Sequence, residues 1–178
     1  VQELSTDSTA PTTTITTKNI INKRMRREKM KFSCSQQVLA KAFNIVSKAV
    51  TNRTTIPILK GILLQVSEDG VLTMSASDLD LTIVKKLEVD EAEAGEVVVQ
   101  AKLFGDIIRK LPSSVIHVSE ENNNLLIRCA NSEFNIVGFP ADEFPNIKDK
   151  EEITDQIIFE KDLLNDMIKK TSFAASID

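Results

Sequence analysis

An α+β domain, two helices packed on antiparallel sheet, is what this sequence predicts, and three observations predict it. Short apolar strand-like runs, several alternating with period two, recur between Ile58 and Val137, separated by turn residues such as Glu68-Asp69-Gly70 and Asn122-Asn123-Asn124. Two longer stretches, 36–50 and 101–111, carry apolar residues at helical spacing instead. The 178 residues are 42% hydrophobic and 27% charged, an ordinary globular composition with ample length for a single core.

Taken in order, residues 1–29 stand apart from the rest. They are Thr/Ser-rich, then basic, with six Lys/Arg against three acids, and lack the apolar segment of a secretory signal. Three readings are open: a disordered tail, a basic arm that touches nucleic acid, or read-through of upstream sequence. On the third, Arg26-Arg27-Glu28 can be encoded by a purine-rich stretch like a ribosome-binding site, and the natural start is Met30.

Lys31–Ser33 then opens the globular pattern as a strand, with Ser35 as N-cap of the first helix. That helix is expected to bury Val38, Leu39, Ala42, Phe43 and Val46, leaving Gln37, Lys41, Asn44 and Lys48 outside. The polar turn Thr51-Asn-Arg-Thr-Thr55 ends it, because its side chains compete for backbone hydrogen bonds. Pro57 forces Ile56 into an extended conformation, so a strand is expected over Ile58–Val66. Arg53 thereby lies on a short, anchored connection.

A hairpin at Gly70 leads to Val71–Ser77; Leu79, Leu81 and Ile83 resume the alternation, and Lys85–Val89 continues the meander. Acidic 90–94 reads as a loop and Val97–Gln100 as a strand. The second helix, Ala101–Leu111, buries Leu103 or Phe104 with Ile107, Ile108 and Leu111, and Pro112 stops it. Strands follow at Val115–Ser119, Leu125–Cys129 and Phe134–Val137. Pro-rich Phe139–Asn146 leaves the domain, and 149–155 is an acidic linker.

The pattern then restarts. Gln156–Phe159 reads as a strand, and Leu163, Leu164, Met167 and Ile168 repeat the spacing of Val38, Leu39, Ala42 and Phe43. Residues 156–178 are therefore expected to open a second copy of the same unit, one that cannot bury its apolar face alone.

Several chemistries find no support. His117 is the single histidine and alternates with Ile116 and Val118, as a strand-surface residue does. No Gly-rich phosphate loop is present, and Cys34 and Cys129 sit in apolar contexts typical of buried reduced thiols. Asp78 and Asp80 offer two carboxylates without a third ligand. No catalytic residue, metal or cofactor is expected, and no apolar run approaches the length of a membrane span. With 8 Phe, no Trp and no Tyr, stacking of bases on aromatic platforms is disfavoured. Charge is the more informative feature. The net is -4, but 1–29 carry +3, so the body carries -7 while both helix outer faces are cationic. Such faces suit sequence-blind contact with phosphates.

Three words, Arg53-Thr-Thr-Ile-Pro-Ile-Leu59, Ser77-Asp-Leu-Asp80 and Gly138-Phe-Pro-Ala-Asp-Glu-Phe-Pro-Asn146, occur in the order and spacing of a known family. With Met30-Lys-Phe-Ser and Lys102-Leu-Phe-Gly-Asp-Ile-Ile, they resemble the first domain of the bacterial DNA sliding clamp, the beta subunit of DNA polymerase III. The likeness covers 30–178. It implies a clamp domain at 30–148 and an incomplete second at 156–178, in a family that repeats the domain three times. It further implies a cytoplasmic, non-catalytic processivity factor for DNA replication. Two chains of the full-length protein close into a homodimer ring around duplex DNA, with helices lining the hole, and serve a polymerase and a clamp loader.

By the resemblance, Arg53, Lys41, Lys48, Arg109 and Lys110 face DNA, while Lys102, Leu103 and Phe134 lie at the dimer contact. Asn131 and Glu133 stand where relatives are often basic, a departure from the family's charge pattern at that contact. A chain of this length is not expected to close a ring, because the third domain and the peptide-docking groove beside it are missing. Two rivals stand beside the clamp: a protein–protein module that uses its sheet edge and Phe134 without DNA, and a small hydrolase on Asp78 and Asp80.

Overall fold

The computed structural model describes residues 30–51, 54–145 and 157–175. The chain divides into two compact units at Pro145/Asn146, which are taken separately.

The first unit runs β1 (Lys31–Ser35), α1 (Gln36–Val46), β2 (Gly61–Val66), β3 (Val71–Ser77), β4 (Thr82–Glu88), β5 (Asp90–Glu93) and β6 (Gly95–Gln100). It continues with α2 (Ala101–Lys110), β7 (Val115–Glu121), β8 (Asn124–Cys129) and β9 (Ser132–Val137). The strands make two antiparallel sheets, ordered β5-β1-β7-β8-β9 and β4-β3-β2-β6. Strand–helix–three strands occurs twice along the chain, and each half lends its first strand to the other's sheet. Thus β1 pairs with β7 and β6 with β2.

One apolar core joins both sheets and both helices, with Phe32, Leu39, Leu64, Met74, Phe104, Ile108, Ile116 and Leu125 all fully buried. At the β7–β8 hairpin Asn122 and Asn123 take φ of 56° and 62°, left-handed values that asparagine tolerates. Gly70 turns the β2–β3 hairpin at φ 75°.

Several expectations need correction. Val38 is 46% exposed, because the buried stripe is Gln36, Leu39, Ala42, Phe43 and Val46 and position 38 lies about 100° from its centre. Pro57–Lys60 is a 3-10 turn, and the strand begins at Gly61; Ile56 is extended as Pro57 requires, and Leu59 N–H donates to the Ile56 carbonyl at 3.2 Å. Leu79 and Leu81 lie in a turn before β4, where the Asp78 carboxylate accepts from Asp80 and Leu81 N–H at 3.2 and 2.7 Å. Acidic Asp90–Glu93 is a strand rather than a loop, since it covers the free edge of β1 (Lys31 opposite Glu93) through a bulge with Glu91 at φ 49°. Ser35 makes no side-chain cap; the Ser114 carbonyl accepts the Gln36 N–H at 3.0 Å instead.

In the second unit, Lys161–Thr171 is a helix, α3, with Leu163, Leu164, Met167 and Ile168 between 41% and 54% exposed. The expected strand before it is not formed at 157–160, where no regular structure occurs. The Lys170 ammonium meets the Asp166 carboxylate at 2.8 Å, and the Thr171 hydroxyl donates to the Met167 carbonyl. No helix among the described residues is long and apolar enough to cross a membrane.

Candidate nucleic-acid interface

The two helices of the first unit pack side by side. α1 lies against β1, β3 and β4, and α2 against β2 and β6, so each presents one face to the core and the other outward. Three contacts lock them together. The Gln36 amide, buried, donates to the Ile108 carbonyl at 2.8 Å, satisfying one of the last acceptors of α2. The rings of Phe43 and Phe104 meet at 5.8 Å and 57°. The Phe43 ring also lies over Gly105, where a Cβ would collide with it.

The outward faces are cationic. Lys41 and Lys48 are exposed two turns apart along α1 and its 3-10 extension, Ser47–Ala49. Lys102 and Arg109 stand two turns apart on α2, with Lys110 beside them, all exposed. Arg109 lies over the Phe43 ring at 5.7 Å, and its Nη2 meets the Asp106 carboxylate at 2.9 Å. A shallow depression between the helices is lined by Phe43, Ser47, Val50, Ala101, Lys102 and Arg109. Counted by layer, helices and 3-10 extension carry five cations and one acid, while the nine strands carry four Lys/Arg and eight acids. The charge is therefore segregated: +4 on the helices, -4 on the sheets.

Of the residues expected at the DNA contact, Lys41, Lys48, Arg109 and Lys110 fall on these outward faces. Arg53 lies outside the described residues, as do residues 1–29 and the linker. Lys102, expected at the dimer contact, shares the depression with Arg109. Leu103 is 43% exposed on α2, its alternative Phe104 being the buried one. Phe134 is 37% exposed on β9, the edge strand of the five-stranded sheet, whose last residue Val137 is 74% exposed. Helical spacing puts Asp106 on the outer side of α2 together with Arg109, but it does not bring the Phe43 ring there. The i, i+3 spacing of Asp106 and Arg109 is a readable signal; the ring from another helix is not.

Two exposed groups on the five-stranded sheet have structural partners. The exposed His117 faces Glu91 at 3.3 Å, and Arg128 meets Glu133 at 2.7 Å across the β8–β9 hairpin. Burial pushes the Cys34 thiol up to about 11, with the Asp90 carboxylate adding to it, so this thiol stays protonated and unreactive near neutral pH. Among the described residues, no three His, Cys, Asp or Glu side chains gather as a metal site would need.

A two-sheet α+β domain with one cationic helix pair is the architecture of DNA clamps, and comparison with solved structures places it there. The crystal structure of the DNA polymerase sliding clamp from Bacillus subtilis matches with a TM-score of 0.76 and 34% identity, over 84% of this chain and 41% of that one. The crystal structure of the C. crescentus beta sliding clamp gives 0.76 and 32%, over 85% and 41%. Residues 30–148 match the family model for the DNA polymerase III beta subunit, N-terminal domain. The chain belongs to that family. Curated relatives include the beta sliding clamp of Bacillus subtilis, 37% identical over 156 residues, and that of Vibrio harveyi, 37% over 147. The chain covers 41% of the first and all of the second.

Proposed function

We propose that this chain supplies the first-domain part of a DNA sliding clamp, a cytoplasmic processivity factor without catalysis of its own. The carrying observation is the charge segregation: a cationic helix layer beside an acidic sheet layer. Contact with a phosphate backbone needs Lys and Arg at the surface and no base-reading groups, and the helices offer that. Lys41, Lys48, Arg109 and Lys110 meet duplex DNA, with Arg53, which follows α1 in the sequence, joining them. An acidic sheet layer repels the same polyanion, so DNA is drawn to one side of the domain.

In the full-length protein, two chains form a homodimer ring that tethers a polymerase and receives a clamp loader. Lys102, Leu103 and Phe134 contribute to the subunit contact, Phe134 from the open edge of β9. Residues 156–178 open a second clamp domain, whose remaining strands cover the exposed stripe on α3.

The test is binding of a short labelled duplex by this chain across a salt series. The log–log slope of affinity against salt should fall by about 0.9 for each phosphate the protein no longer neutralises, so Lys41→Ala/Lys48→Ala should flatten it by about 1–2. An unchanged slope rejects the assignment of these lysines. A sheet-edge protein–protein module, favoured only by exposed Phe134 and Val137 on β9, predicts no salt-dependent duplex binding at all.

A further inference from the structure

Asp106 is out of place on this surface. Gln36–Ala49 contains no acidic residue and Ala101–Lys110 contains one, and that one faces outward among Lys102, Arg109 and Lys110. A carboxylate here subtracts charge from the layer that otherwise concentrates it. Its Oδ1 accepts from Arg109 Nη2 at 2.9 Å, while the Phe43 ring holds the guanidinium carbon at 5.7 Å from its centroid. Gly105 makes this possible, since only the absence of a Cβ lets the Phe43 ring sit where it does. Arg109 is thus laid against the seam between the helices with part of its donor fork occupied. Lys41, Lys48, Lys102 and Lys110 pair with no carboxylate among the described residues.

We propose that Asp106 is a positioning residue that weakens the grip of this surface on a phosphate backbone, by holding Arg109 down on Phe43 and occupying its guanidinium. The inference rests on reading the helix faces as the DNA contact. A phosphate that approaches Arg109 competes with a carboxylate already in place, so the contact is brief and easily exchanged. That is the behaviour required of a protein that travels along DNA.

The experiment measures binding of a short labelled duplex across a salt series for the wild-type chain and four variants: Asp106→Asn, Asp106→Glu, Arg109→Ala and Asp106→Asn/Arg109→Ala. Thermal melts confirm that each is folded. Asp106→Asn should bind about two- to fivefold tighter, the range that release of an exposed ion pair gives, and steepen the salt slope by up to about 0.9. Asp106→Glu should behave as wild type. In the Arg109→Ala background the gain from Asp106→Asn should shrink to below about 1.5-fold, the residue left by general field effects. Wild-type duplex binding with no gain in Asp106→Asn, or an equal gain without Arg109, overturns the role of Asp106 alone. Absence of salt-dependent binding in wild type and variants alike overturns the DNA reading, and this inference with it.

Discussion

Gly105 shows how one residue can carry two opposed effects. By propensity alone, glycine in mid-helix costs about 1 kcal/mol relative to alanine, so Gly105→Ala would stabilise α2 in isolation. In the folded domain the added methyl meets the Phe43 ring, and overpacking of this kind costs about 1–3 kcal/mol. Packing wins. Gly105→Ala is expected to lower Tm by roughly 3–8 °C in a thermal melt, and a raised Tm would show that the ring moves aside at no cost. The same residue scale explains the words that carry the family resemblance. Asp78 closes a turn with its carboxylate, Pro57 starts a 3-10 turn, and Phe139 pairs with Val98 on the outer side of β6. They are joints of the fold. The exposed cations Lys41, Lys48, Arg109 and Lys110 lie outside those three words.

At the scale of elements, α1 and α2 depend on each other through Gln36. Its buried amide serves a carbonyl in the last turn of α2, an acceptor that has no partner within its own helix. Gln36→Leu keeps the side chain at a similar size but leaves that carbonyl without its donor, at about 1–2 kcal/mol. Urea unfolding should show a lower midpoint with unchanged m-value. Gln37→Leu, one position on and facing solvent, should stay within about 0.5 kcal/mol of wild type. A comparable loss at both positions would remove the amide from the account. The helices and most strands were legible here, because 3.6-residue and 2-residue periods differ plainly along the chain. What was not legible was β5. Asp90–Glu93 has the composition of a loop and becomes a strand because the edge of β1, far away in sequence, needs a partner.

For the whole molecule, the separation of charge between layers makes position matter more than charge count. Net charge argues against a polyanionic ligand, yet the helices alone are positive. Neutralising cations on the sheets should therefore leave duplex binding nearly untouched. Arg128, on β8 between buried Ile127 and Cys129, points away from the core, as does Lys86 on β4. Arg128→Ala/Lys86→Ala is expected to change duplex affinity less than about twofold, with the salt slope unaltered, in the titration that reports on Lys41 and Lys48. A slope reduced as far as theirs would mean the polyanion is held without regard to layer.

The amino-acid sequence alone marked out the helices and every strand of the first unit but β5, and through three short words it marked out the family. It could do so because periodicity, turn chemistry and motif spacing are local properties of the chain. Packing between elements settled that Gln36 rather than Val38 is buried, that an acidic stretch completes a sheet, and that the Phe43 ring comes to lie against Arg109. Each of those depends on which distant surface arrives at a given side chain, and burial, edge pairing and ring contacts between helices are settled where elements meet.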